Sequence, residues 1–144
     1  MKIAIACDHA AFNEKNILIE YISNELNCSV IDLGCNSSDS VDYPLFGHLV
    51  GKAITNKDVD KGIVICGSGI GISIAANKIK GIRAALCTSI DHAIMSRKHN
   101  NANVLAMGSR FTEPKLLKSI VKVWLETSFE GGRHQLRVNK IEDI

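Results

Sequence analysis

The chain alternates short apolar runs with segments whose apolar residues recur every three or four positions. KIAIAC (2–7), SVIDL (29–33), GIVIC (62–66), IRAALC (82–87) and NVLAMG (103–108) read as strands. Residues 11–26 place Ile17, Leu18, Tyr21, Ile22 and Leu26 on one helical face. Pro44 suits the first turn of a helix over 44–56, and a further helix over 71–79 follows a glycine loop. Ser89 is expected to cap a helix running to about Lys98, and Thr112 a helix over 113–127; a last helical stretch begins near Arg133. Nearly all the strands are apolar throughout, as burial on both faces demands. Strands alternating with helices predict an α/β fold with a parallel sheet covered on both faces. No linker, repeat or low-complexity segment divides the chain, so one domain over 1–144 is expected.

Composition narrows the class. The 144 residues are 46% hydrophobic and 22% charged, as in an ordinary globular domain large enough to bury a core. The net charge of +2, with basic residues mostly dispersed, argues against nucleic acid as a partner. Five cysteines (Cys7, Cys28, Cys35, Cys66 and Cys87) form an odd set without CxxC spacing, which disfavours a disulfide framework or a zinc ribbon. The apolar run before Asp8 is too short for a signal peptide. The longest uncharged run, 62–77, falls short of the ~20 residues that span a bilayer. These features predict a soluble, cytoplasmic protein with no membrane partner.

Candidate chemistry gathers at the carboxyl ends of the strands, where open parallel sheets bind ligands. Asp8 and His9 follow strand 1, Cys66 and the loop Gly67–Gly71 follow strand 3, and Ser109 and Arg110 follow strand 5. The loop does not match a dinucleotide fingerprint, because GxGxxG would require glycine where Ile72 stands, and the P-loop pattern is absent. What remains is a row of backbone N–H groups opening a helix, which makes an anion hole. A cysteine thiolate beside such a hole can attack a carbonyl or take a proton next to one. A buried strand cysteine beside a chain-turning loop is the plain alternative. His99 and Asn100 precede strand 5 where a helix C-terminus would also place them. Arg133 and Arg137, four apart after Gly-Gly, share a helical face that is either solvated or a phosphate clamp. His48 and His92 read as surface or packing residues. No HExxH or similar spacing points to a metal.

Taken in order, CDHA, DYP, ICGSGIGISIAANK, SRKHNNANVLAMGSR and EGGRHQLRV closely resemble type B ribose-5-phosphate isomerase over essentially the whole chain. That family also contains isomerases of allose 6-phosphate and galactose 6-phosphate. The resemblance implies a Rossmann-like α/β/α sandwich with five parallel strands ordered 2-1-3-5-4. It implies a homodimer with active sites at the interface, sometimes paired into a tetramer. The implied reaction interconverts ribose 5-phosphate and ribulose 5-phosphate in the non-oxidative pentose phosphate pathway, through ring opening and a cis-enediolate, with no metal or cofactor. By the same resemblance Cys66 is the base, His99 the acid/base for ring opening, and Ser68 with Gly67, Gly69 and Gly71 the enediolate donors. Asp8 and Tyr43 surround the sugar, and Asn100 holds the enediolate or a hydroxyl. His9, Arg110, Arg133 and Arg137 match phosphate contacts. Two departures stand out. Ser68 replaces a threonine common among relatives, and Ile72 stands where another branch carries a glutamate base. An isomerase of a six-carbon sugar phosphate and a flavodoxin-like nucleotide-binding module are the competing readings.

Overall fold

The structure, a computed structural model, describes residues 1–143. The strands are β1 (Lys2–Cys7), β2 (Ser29–Asp32), β3 (Lys61–Cys66), β4 (Ala84–Leu86) and β5 (Val104–Gly108). All pair in parallel in the order β2-β1-β3-β5-β4, as the resemblance implied. The helices are α1 (Phe12–Asn24), α2 (Tyr43–Thr55), α3 (Ile70–Asn77), α4 (Ile90–Asn100), α5 (Pro114–Glu126) and α6 (Arg133–Glu142). Helices α2 and α3 pack together on one face of the sheet; α1, α5 and α4 form the other layer, and α6 lies against α4.

The central strands are buried on both faces: Ile3–Cys7, Ile63–Cys66 and Val104–Met107 are shielded almost completely. Helix α5 closes this core with Leu117, Ile120, Val121, Trp124 and Leu125, an apolar stripe at helical spacing. The edge strands depart from expectation. β2 is half exposed, because one of its sides has no neighbour. β4 is three residues long rather than the six expected, because the Asn103 side chain takes the Arg83 N–H (2.8 Å) and donates to Gly81 O (2.8 Å).

Ser89 caps α4 as expected, its Oγ accepting from the His92 N–H. Thr112 does not cap α5. The N-cap is Glu113, held extended by the proline that follows, and its side chain makes no capping bond. Helix α4 runs on through Asn100, so His99 and Asn100 lie in its last turn; Asn101 ends it in the left-handed conformation. Among the described residues no helix is long and apolar enough to cross a membrane.

Candidate active site

Strand order decides which carboxyl ends meet. β1, β3 and β5 are adjacent, so their trailing loops converge on a cleft of about 430 Å³. Asp8, His9, Tyr43, Cys66, Gly67, Ser68, Gly71 and Arg110 line it, with Phe111 at its rim. Asp8 is buried and caps a short 3-10 turn by accepting the Ala10 N–H at 3.0 Å. The His9 Nδ1 accepts the Val41 N–H at 3.2 Å, so the neutral ring carries its proton on Nε2. The Ser109 hydroxyl donates to Ala10 O at 2.9 Å and ties the loop after β5 to the loop after β1.

The glycine loop is shaped by close backbone contact. Gly69 is left-handed (φ +78°), and a side chain there would strike the backbone of Met107 and Gly108. A Cβ on Gly108 would in turn lie 2.5 Å from Ser68 O. Gly71 leaves room for the Tyr43 ring, whose Cζ would sit 2.6 Å from a Cβ. The Gly69 N–H donates to Cys66 Sγ at 3.1 Å, and the Ile70 N–H to Ser68 Oγ at 3.2 Å. The N–H groups of Gly67, Ser68 and Gly71 keep no protein acceptor among the described residues, as the anion-hole reading requires. Ile72 is fully buried.

Two buried thiols outside the cleft are held in the protonated form. Burial pushes Cys87 up to about 11. Burial, reinforced by the neighbouring Cys35, pushes Cys7 up to about 12. Both therefore stay protonated at neutral pH.

His99, Asn100, Arg133 and Arg137 do not join this cleft. They cluster where α6 packs on α4, on the side of the sheet where β5 begins. His99 stacks on His134 with ring centroids 4.2 Å apart and planes 10° apart. Burial, then His99, Arg133 and Arg137, hold the His134 imidazole below the usual histidine range, against a counter-pull from Glu130. His134, with Glu130 four residues before it in the loop ahead of α6, was not singled out in the sequence; the spacing alone suggests only a helical pair. The donor atoms of His99, Glu130 and His134 lie within 4.8 Å of one another. The two rings are stacked and nearly parallel, and Arg133 and Arg137 both act electrostatically on His134. Arg133 and Arg137 are exposed, and no protein partner holds either among the described residues.

The family model described as Ribose/Galactose Isomerase matches residues 3–141. The chain belongs to that family. It is 48% identical over 143 residues to ribose-5-phosphate isomerase B of Escherichia coli (strain K12), covering 99% of this chain and 95% of that one. It is 41% identical over 144 residues to ribose-5-P isomerase B of Listeria innocua, covering 100% and 97%. The Clostridium thermocellum ribose-5-phosphate isomerase B structure superposes with a TM-score of 0.97 at 49% identity, covering 99% of this chain and 96% of that one. The Thermotoga maritima enzyme gives 0.96 at 45% identity, covering 99% and 98%.

Proposed function

We propose that the chain, as one domain over 1–144, interconverts D-ribose 5-phosphate and D-ribulose 5-phosphate in the cytoplasm. The observation that carries the reading is Cys66. Its sulfur lies in a cleft with an acid, an imidazole and a guanidinium, tied to a loop in which the N–H groups of Gly67, Ser68 and Gly71 keep no protein acceptor among the described residues. Moving a carbonyl from C1 to C2 requires removing the C2 proton and returning a proton to C1. Cys66 takes the first as thiolate and delivers the second as thiol. The oxygen that becomes negative on the way is held by the loop N–H groups and Ser68, one such donor being typically worth ~3–4 kcal/mol. With Ile72 apolar and buried, no carboxylate replaces the thiol at that turn. Asp8 and Tyr43 border the sugar, and His9 and Arg110 bind the phosphate end through Nε2–H and the guanidinium.

Ring opening and the remaining phosphate contacts fall to His99, Asn100, Arg133 and Arg137, which one subunit keeps away from its own Cys66. A homodimer that lends them across a two-fold axis resolves this, each site taking its thiol from one chain and its imidazole from the other. Exposed apolar side chains flank both halves: Ile70 and Ile74 on α3 beside the loop, Leu136 on α6 between the two arginines, and Phe111 at the cleft rim. They supply the apolar surface such an interface needs.

The experiment is a ketose-formation assay, as initial rates, on ribose 5-, allose 6- and galactose 6-phosphates, with Cys66→Ala as control. Ribose 5-phosphate should be turned over with the highest kcat/KM. Preference for a six-carbon substrate would refute the substrate assignment. A Cys66→Ala variant keeping more than about a tenth of kcat, a loss under ~1.4 kcal/mol, would refute the thiol as base.

A further inference from the structure

Helix α6 is lightly held. Only His134 and Val138 of its ten residues are buried, so its packing on α4 leaves its tilt and the aim of Arg133 and Arg137 weakly fixed. Arg83, in the segment leading into β4, meets both helices at once. Its Nε donates to the carbonyls of Asn100 (3.1 Å) and Asn101 (3.2 Å), and one terminal nitrogen donates to Asn101 O (3.1 Å). The other terminal nitrogen pairs with the Glu142 carboxylate at the end of α6. The arginine is itself anchored, since its N–H donates to the Asn103 side chain and its carbonyl accepts the Asn103 N–H at 3.1 Å. Its side chain is only 17% exposed, so little water competes for these bonds.

We propose that Arg83 is a positioning residue that locks α4 and α6 into one arrangement, and so fixes His99 and Asn100 relative to Arg133 and Arg137. The proposal rests on the reading of those four residues given above. The planar fork satisfies the last carbonyls of α4, where a cation is also favoured by the helix dipole, and the same plane reaches the carboxylate. The His99–His134 stack joins the two helices near the start of α6, and Arg83 joins them at its far end. With both joints made, the two arginines are presented at a fixed distance from the imidazole. With the far joint broken, α6 can pivot about the stack.

The test compares wild type with Glu142→Gln, Arg83→Met and Arg83→Lys by three readouts. These are kcat and KM on ribose 5-phosphate, the affinity for inorganic phosphate by calorimetry, and amide hydrogen exchange over residues 133–138. Glu142→Gln removes the charge of the far joint, leaving at most a neutral hydrogen bond, and so, without touching α4, loosens α6. It should speed exchange there and weaken KM and phosphate affinity about tenfold, while kcat moves less than about twofold. Arg83→Met frees both helix ends and should lower kcat about tenfold as well. Arg83→Lys keeps the ion pair without the fork, so phosphate affinity should recover while kcat stays low. A Glu142→Gln chain with wild-type exchange and phosphate affinity would overturn the proposal. So would a uniform loss of kcat and affinity across all three variants that merely follows their melting temperatures. A wild-type chain that fails to isomerise ribose 5-phosphate would overturn the site reading instead, and the exchange measurement would still decide whether Arg83 couples the helices.

Discussion

Adding one methyl group at Gly108 tests whether the backbone contact behind the glycine loop sets the chemistry. The Cβ of Gly108→Ala would lie 2.5 Å from Ser68 O and 2.6 Å from Ser68 C. Ordinary packing begins near 3.4 Å, so the loop must retreat by about 0.9 Å. Neither neighbour is a flexible side chain, and β5 is held on both sides by β3 and β4, so the loop is what moves. Overpacking of this kind costs about 1–3 kcal/mol of stability. The larger effect falls on catalysis. A misplacement of about 1 Å in a positioned site costs about a hundredfold, or ~2.7 kcal/mol of transition-state stabilisation. Gly71→Ala is the matched comparison. The same methyl there meets only the Tyr43 ring, which is 41% exposed and can swing aside. The assay is initial-rate isomerisation of ribose 5-phosphate beside urea unfolding. Gly108→Ala should lose kcat with the transition still cooperative, whereas Gly71→Ala should chiefly raise KM. A Gly108→Ala protein keeping more than about a third of wild-type kcat, a loss under ~0.7 kcal/mol, would refute the argument.

His99→Asn should depress turnover of ribose 5-phosphate, mostly a closed ring, far more than that of ribulose 5-phosphate, which cannot close into that ring; equal initial-rate losses in both directions would exclude a separate ring-opening role. Mixing inactive Cys66→Ala and His99→Asn subunits should restore activity after verified exchange, because a heterodimer has one site with both lesions and one with neither; no recovery would exclude shared sites. Lys61 offers a pH test. Burial, then the Arg97 guanidinium, lowers its ammonium from 10.5 to about 8. Between those values the unfolded chain holds a proton the folded chain lacks, so this lysine makes stability rise with pH. Lys61→Met should therefore gain on wild type in urea unfolding near pH 7, and its advantage should shrink toward about pH 10; an advantage that does not change with pH would contradict the assignment.

Much of this protein is legible in its residues, because its signals are local. Apolar runs such as IVIC specify strands wherever they fall, and Ser89 caps its helix through bonds within one turn. The five motifs likewise carry the family, since each is a short string. Thr112 has the better capping side chain, yet the adjacent Pro114 holds Glu113 extended and moves the helix start one residue on, a local effect that the capping preference outweighs in the sequence reading. Reading stops where a neighbour far along the chain decides. β4 is cut short by a side chain from residue 103, which nothing within 82–87 announces. The glycines at 69 and 108 read as turn-formers, yet each is needed for close backbone packing, Gly69 against Met107 and Gly108 at the end of β5 and Gly108 against Ser68. Parallel strands send the loops after β1, β3 and β5 to one edge, while α4 runs back and leaves His99 and Asn100 where β5 begins. The residues able to hold a proton, an oxyanion or a phosphate can be named from the chain alone, because that capacity belongs to the side chain. That His99 and Asn100 fall at the opposite edge follows from their place before strand 5, but their packing against α6, with His99 stacked on His134, came from the fold, because residues 99 and 134 meet only when α6 closes on α4.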